Sequence, residues 1–79
     1  MTELTIRLND VKNVQDFNKL ATKQGFSIDV RSLDRHYCID AKSLMGLFSL
    51  DLSKPVLVSV EVDSPDVDKF FTEIAEYVR

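Results

Sequence analysis

The sequence has few of the residues on which disulfides, metal sites and catalysis depend. Its 79 residues include one cysteine, one histidine and no tryptophan. A lone cysteine, Cys38, excludes an internal disulfide, and adding His36 still leaves far fewer ligands than a zinc site needs. Only two glycines are present, and neither follows a strand in the pattern of a phosphate-binding loop. We therefore expect no metal, no cofactor and no enzymatic activity, with His36 as an exposed loop residue.

Positive charge and long apolar runs are also scarce. A formal net charge of −3 provides no surface to neutralise phosphates, so we expect neither nucleic-acid binding nor attachment to anionic membranes. No apolar run approaches the ~20 residues of a membrane span, and the polar first ten residues lack the pattern of a secretory signal. We predict a cytoplasmic monomer with a single domain over residues 1–79. The lone Cys38 fits a reducing compartment, and we predict that it is buried in a strand.

The patterns that are present predict the element order βαββαβα. Alternating apolar residues predict strands over residues 3–8, 26–30, 36–40 and 56–62. Helical spacing predicts a helix over residues 11–24 with an N-cap at Asn9-Asp10, a helix from residue 65 onward, and a short helix after Ser43 that ends near residue 50 or 51. The last helix begins with the strong start Ser64-Pro65-Asp66, in which Ser64 is the N-cap. Together these elements predict an α+β fold, an open-faced sandwich in which a four-stranded antiparallel sheet carries three helices on one face.

This arrangement predicts which side chains are buried and which face water. The fourth strand should lie inside the sheet, with Val62 among the residues on its apolar face. The apolar stripe of the last helix comprises Val67, Phe70, Phe71, Ile74, Ala75 and Val78. The opposite face of the sheet should be wet and carry Thr5, Arg7, Ser27, Asp29, Arg31, Ser59 and Glu61.

Residues 40–52, with the sequence DAKSLMGLFSLDL, hold more large apolar side chains than a short helix can bury. Of Leu44, Met45, Leu47 and Phe48, two should face the core and one or two should face outward, where apolar neighbours mark an interaction site. Met45 is the best candidate, because its flexible thioether adapts to different partners. The alternative, in which a small domain needs every apolar residue for its core, stays open.

Ser43 has two interpretations. As an N-cap, its hydroxyl accepts a hydrogen bond from an unpaired backbone N–H, which is sufficient reason for its presence. The same position suits phosphorylation, because a phosphate would add about −1.5 to −2 charges beside the apolar side chains.

Residues 42–50, KSLMGLFSL, closely resemble the segment K-S-I-M-G-V-M-S-L around the regulatory serine of HPr. HPr is the phosphocarrier of the bacterial sugar phosphotransferase system, and its fold has the same βαββαβα order. The resemblance implies that Ser43 is the serine modified by an HPr kinase/phosphorylase. It also implies a partner-binding surface made of Lys42, Leu44, Met45, Leu47 and Phe48. The implied partners are proteins: that kinase, a phosphotransferase-system enzyme or a transcriptional regulator of carbon catabolism.

The resemblance fails at the start of the first helix. HPr carries its phosphoryl group there on a histidine, in a G-[IL]-H-A-R-P-A motif, whereas this chain reads NDVKNVQDFNKLA. By element alignment Asp10 takes the place of the missing histidine and Lys12 that of the arginine, while Gln15 aligns with the histidine only if the helix is shortened. The leading hypothesis is therefore an HPr-like docking domain without the phosphocarrier histidine, switched through Ser43.

Two other hypotheses remain. One is a phosphocarrier that uses an unconventional acceptor, Asp10 or His36. The other is a remnant of the fold in which Ser43 serves only as a cap.

Overall fold

The order of strands and helices confirms the predicted βαββαβα pattern. In the computed structural model, which describes residues 1–34 and 37–77, the strands are β1 (Thr2–Ile6), β2 (Asp29–Ser32), β3 (Cys38–Asp40) and β4 (Val56–Val60). The helices are α1 (Val11–Thr22), α2 (Leu44–Phe48) and α3 (Pro65–Ile74), and α3 runs into a 3₁₀ turn (Ala75–Tyr77). The predictions for His36 and Val78 lie outside the described residues.

The four strands form one antiparallel sheet in the order β1-β4-β2-β3. β4 lies inside the sheet, as predicted from its valine-rich sequence. Its register places Val58 beside Leu4 on one neighbouring strand and beside Val30 on the other. Because side chains alternate along a strand, these three residues share one face of the sheet, which is the face that the helices cover.

The core lies between this face and the helices. The buried side chains include Ile6, Leu8, Val14, Phe17, Ile28, Val30, Val58, Val60, Val67, Phe70 and Ile74. Three aromatic pairs within it join α1, the segment before β2 and α3, namely Phe17 with Phe70, Phe26 with Phe70, and Phe70 with Phe71. None of the helices in the described ranges has the length and apolar character that crossing a membrane requires.

Both longer helices begin at the predicted capping residues. The Asp10 carboxylate accepts a hydrogen bond of 2.8 Å from the backbone N–H of Asn13, and the Ser64 hydroxyl accepts one of 3.3 Å from that of Val67. Each bond satisfies one of the N–H groups that the first turn of a helix leaves unpaired. These caps fix where α1 and α3 start relative to the strands before them.

Two predictions about the open face of the sheet are wrong. Ser59 is only 2% exposed, because this small side chain lies between Glu3 and Asp29 on the adjacent strands, whose longer side chains shield it. Cys38 is exposed instead of buried. It lies opposite Arg31 in the β2–β3 pair, on the face that no helix covers, while its neighbour Ile39 packs against the core.

Most elements end at other residues than predicted: β1 stops at Ile6 instead of residue 8, and β2 spans Asp29–Ser32 instead of residues 26–30. β4 stops at Val60, so Val62 leaves the sheet and is 53% exposed. α3 ends at Ile74, and the tighter 3₁₀ turn that follows rotates Ala75 away from the apolar stripe, leaving it exposed. Tyr77 takes the buried position in its place.

Candidate functional site

The segment that enters α2 is held by local hydrogen bonds. At the end of β3, the Asp40 carboxylate accepts the backbone N–H of Lys42 at 2.9 Å, and the Asp40 carbonyl accepts that of Ser43 at 2.9 Å. Ser43 has extended backbone angles, and its hydroxyl oxygen accepts the N–H of Gly46 at 3.2 Å. Ser43 is therefore the N-cap of α2, as predicted, and it is exposed to solvent.

Lys42 is engaged within the chain. Its ammonium group donates a hydrogen bond of 2.8 Å to the backbone carbonyl of Gln24, just past the end of α1. The carbonyl groups at the end of a helix lack intrahelical partners, so a cation is favourable there. The side chain that the resemblance placed on the partner-binding surface thus also links α2 to α1.

The four large apolar side chains of α2 divide into one that is buried and three that are exposed, whereas the sequence predicted two facing the core and one or two facing outward. Leu47 is fully buried and belongs to the core, so it lies beneath the partner-binding surface rather than on it. Leu44 is 37% exposed, Phe48 is 41% exposed and Met45 is 85% exposed. We call these three residues the α2 surface. α2 is only five residues long, which leaves room for a single inward-facing position between its neighbours.

Gly46 allows α2 to pack closely against β3. A Cβ atom at this position would lie 2.6 Å from Cγ2 of Ile39 and 3.2 Å from the Ser43 hydroxyl oxygen. The first distance is shorter than any ordinary carbon–carbon contact. The glycine therefore sets how near the α2 surface lies to the edge of the sheet.

A cavity of about 450 Å³ lies beyond the C-terminal end of α2. Its walls come from the residues just after α2, the β2–β3 connection and the segment before β4, and they include Leu33, Tyr37, Leu50 and Pro55. Asp51 lies on its rim, where hydrogen bonds from the Ser53 hydroxyl and backbone N–H lower the pKa of that carboxyl group. The cavity therefore places both apolar and polar side chains next to the α2 surface.

The start of α1 holds the two residues that align with the missing phosphocarrier motif. Asp10 is exposed, but one of its carboxylate oxygens is used in capping the helix, and Lys12 is exposed in the first turn. His36, the other candidate acceptor, lies outside the described residues. Sequence reasoning missed a small polar cavity near this end of α1, because its residues come from both ends of the described chain and follow no local pattern. It is lined by Arg7, Asn9, Asn13, Asp16, Glu76 and Tyr77.

Comparison with known proteins identifies the family. The model of the PTS-HPr family, described as the HPr component phosphorylation site of the phosphotransferase system, matches residues 10–79. No curated protein sequence matches the chain.

Solved structures share the fold. A crystal structure of HPr-C-His from Thermoanaerobacter tengcongensis is 27% identical, with a TM-score of 0.74 over 96% of this chain and 92% of that one. A crystal structure of the phosphocarrier protein HPr from Bacillus anthracis strain Ames is 17% identical, with a TM-score of 0.71 over 99% of this chain and 96% of that one. The second likeness concerns the fold alone. Together with the family match, which covers most of the chain, these findings show that the protein belongs to the HPr family of the phosphotransferase system.

Proposed function

We propose that this protein is an HPr-like docking domain that meets protein partners through the α2 surface and does not carry a phosphoryl group on a histidine. The observation that carries the proposal is the exposure of Met45, which at 85% contributes nothing to the core. A flexible apolar side chain held out into water between two half-exposed apolar neighbours is typical of a protein interaction site. The partners we propose are an HPr kinase/phosphorylase, a phosphotransferase-system enzyme or a transcriptional regulator, in the cytoplasm.

Ser43 is the proposed switch of this surface. Its exposed hydroxyl precedes Leu44 and Met45 directly, so a phosphate there would bring about −1.5 to −2 charges to the edge of the apolar patch. Burying that charge in an apolar interface carries a large desolvation cost, whereas a partner with arginine or lysine residues would gain charge-assisted hydrogen bonds. Phosphorylation would thus exchange one class of partner for another.

Binding to a purified HPr kinase/phosphorylase tests the docking proposal. Met45→Asp should weaken binding at least about tenfold, the effect of losing an interface residue worth ~1.4 kcal/mol. Val62→Asp is the matched control: Val62 is 53% exposed, lies after β4 and is not part of the α2 surface. Equal affinity of the two variants and the unchanged protein would place the docking surface elsewhere.

The switch requires its own experiment. After incubation with ATP and the same kinase, mass spectrometry should find one phosphate on Ser43 and none on Ser43→Ala. An unmodified protein beside a phosphorylated HPr control would remove the switch and leave Ser43 as a cap.

The second candidate function is phosphotransfer through Asp10. The matching family model is described by a phosphorylation site, and the match begins at residue 10. An acyl phosphate on Asp10 would have to form on the carboxylate that caps α1. Phosphoenolpyruvate and the general phosphotransferase enzyme should then give a hydroxylamine-sensitive label that Asp10→Asn abolishes. A label that survives Asp10→Asn but is lost in His36→Gln would assign the acceptor to His36, and no label would end the phosphocarrier proposal.

A further inference from the structure

Two hydrogen bonds join the segment before α2 to α1. The side-chain amide of Asn18, in the middle of α1, donates to the backbone carbonyl of Ala41 at 3.1 Å. The next residue, Lys42, donates from its ammonium group to the backbone carbonyl of Gln24 at 2.8 Å, just past the end of α1. The two bonds run in opposite directions and each ends on a backbone carbonyl, so together they hold the backbones of both segments. We call this pair of bonds the α1–α2 tether.

The tether acts on a part of the chain that the core already fixes. Ala41 is fully buried, and its backbone N–H donates to the Ile28 carbonyl at 2.9 Å. α2 begins at Leu44, so only Ser43 separates Lys42 from the α2 surface. The position of the tethered segment therefore determines where α2 begins.

The short helix α2 depends on such external support. It has five residues, whereas an isolated helix needs roughly 12–15 residues to be even marginally stable in water. Leu47 is the one side chain of α2 that is buried. The Ser43 cap bonds to the first turn of the same helix, so it does not fix α2 relative to the rest of the protein. The tether provides that attachment at the N-terminal end.

Stability alone does not account for the bond from Lys42. A lysine side chain loses much of its rotamer freedom when it is held in one position, and this loss offsets most of what a single hydrogen bond contributes to stability. Lys42 is only half-buried, and its acceptor is an uncharged carbonyl. The bond thus has more effect on where the backbone lies than on how stable the protein is.

We propose that Lys42 and Asn18 are positioning residues, which orient the α2 surface for its protein partner without touching that partner. The inference rests on the proposed function in taking the α2 surface to be the docking site. The alternative is the one that the resemblance implies, in which Lys42 contacts the partner directly. The two differ at Asn18, because this half-buried residue of α1 has no role in a direct contact through Lys42.

Binding to purified HPr kinase/phosphorylase separates these alternatives. Lys42→Met and Asn18→Leu should each weaken binding about three- to tenfold, as expected if α2 without the tether has its binding orientation for about a third to a tenth of the time. Lys42→Arg should retain the affinity, because a guanidinium can donate to the same carbonyl. A loss in Lys42→Met without a loss in Asn18→Leu would overturn the proposal and assign Lys42 to direct contact.

Each of the two substitutions has a matched control. Lys23→Met removes an exposed lysine at the C-cap of α1, and Gln15→Leu removes an exposed amide from the same helix. Neither residue takes part in the tether, so both controls should bind the kinase as the unchanged chain does. A control that weakens binding as much as the tether variants would overturn the proposal.

Hydrogen exchange tests the tether without any partner. The backbone N–H of Leu47 donates to the Ser43 carbonyl at 3.0 Å across the first turn of α2. Its exchange should become about threefold faster or more in Lys42→Met and in Asn18→Leu, because α2 opens more often without the tether. It should stay unchanged in Lys42→Arg and in both controls. Equal exchange rates in all variants would overturn the proposal.

Chemical denaturation distinguishes positioning from a general weakening of the fold. Lys42→Met should leave the free energy of unfolding nearly unchanged, whereas Asn18→Leu should lower it, because the carbonyl of the buried Ala41 loses its donor. Positioning predicts similar losses of binding despite this difference, and a loss of binding that follows the loss of stability would contradict it. If Met45→Asp bound the kinase as tightly as the unchanged chain, the docking proposal would fail and the role of the tether in binding with it. Unchanged exchange at Leu47 beside weakened binding of Met45→Asp would remove the tether alone.

Discussion

Gly46 is the residue on which the position of α2 depends. Its backbone lies so close to Ile39 that a methyl group would come within 2.6 Å of Cγ2. Cγ2 belongs to a β-branched side chain with a restricted χ1 angle, so it has little freedom to move aside. Packing therefore explains why the KSLMG motif has a glycine at position 46, because only glycine lets the short helix lie this close to β3.

Gly46→Ala should destabilise the protein although alanine is the better helix former. Overpacking costs about 1–3 kcal/mol, which exceeds the ~1 kcal/mol that alanine gains in a helix. Chemical denaturation measures the change in the free energy of unfolding. Gly25→Ala is the control, because a Cβ there meets no atom within 4 Å, and it should leave stability unchanged or slightly higher. A Gly46→Ala variant as stable as the original chain would show that α2 does not need this close contact.

Tyr77 is a second residue whose surroundings can be tested, because they change the pKa of its hydroxyl. Its ordinary pKa of 10.0 is raised by burial and by the charges of Glu76 and Asp16. Since Tyr37 is the other tyrosine, Tyr37→Phe leaves Tyr77 alone to be titrated by ultraviolet absorbance. We expect a pKa above 10 that falls toward 10 in Glu76→Gln and stays raised in Glu73→Gln.

The sign of the effect of pH on stability follows from this shift. Above pH ~10 the unfolded chain loses the tyrosine proton while the folded chain keeps it, so the free energy of unfolding should fall as pH rises through this window. A Tyr77 pKa at or below 10 in the folded protein would contradict the burial of this side chain.

At the scale of elements, α2 has one face that packs on the core and one that is exposed to solvent. Leu47 points into the core, while Met45 points into water, and only two positions separate them. Ser43 caps the helix and Lys42 links it to α1, so the element is held by its N-terminal end and by one buried side chain.

Alanine substitutions should separate these two faces. Leu47→Ala should cost about 2–5 kcal/mol, because it opens a cavity in the core. Met45→Ala should stay within ~0.5 kcal/mol, as exposed substitutions do. Thermal or chemical unfolding of both variants checks the assignment. Similar costs for the two variants would mean that Met45 packs against the protein and is not available to a partner.

The periodicity of the sequence predicted the elements better than their ends. Strong caps such as Asp10 and Ser64 are local signals, and both were identified correctly. The ends of β4 and α3 depend on how the chain turns to meet other elements, which periodicity does not contain. This is why Val62 and Ala75 are exposed instead of buried. Cys38 was assigned to the wrong environment for a different reason, because it lies on the face of the sheet that no helix covers.

At the scale of the whole molecule, the α2 surface and the polar cavity at the start of α1 lie in different places and differ in chemistry. The α2 surface is apolar and local in sequence, so residues 42–50 predict that apolar side chains face outward there. The polar cavity joins Arg7 to Tyr77, and the backbone N–H of Arg7 donates to the Tyr77 carbonyl at 3.0 Å. No sequence pattern spans that separation, so the cavity becomes apparent only when the sheet and helices bring the two ends of the described chain together.

Membership of the HPr family supports protein partners of the phosphotransferase system. We propose that these partners bind at the α2 surface and not at the start of α1, which distinguishes this protein from a phosphocarrier.

Mapping the interface by NMR tests this claim most directly. Amide signals of the chain would be followed while unlabelled HPr kinase/phosphorylase is added. We expect the signals of Leu44, Met45 and Phe48 to shift or broaden first, and we expect Met45→Asp to suppress these changes throughout the spectrum. Changes that centre on Asp10 and Lys12 and leave α2 unaffected would contradict it.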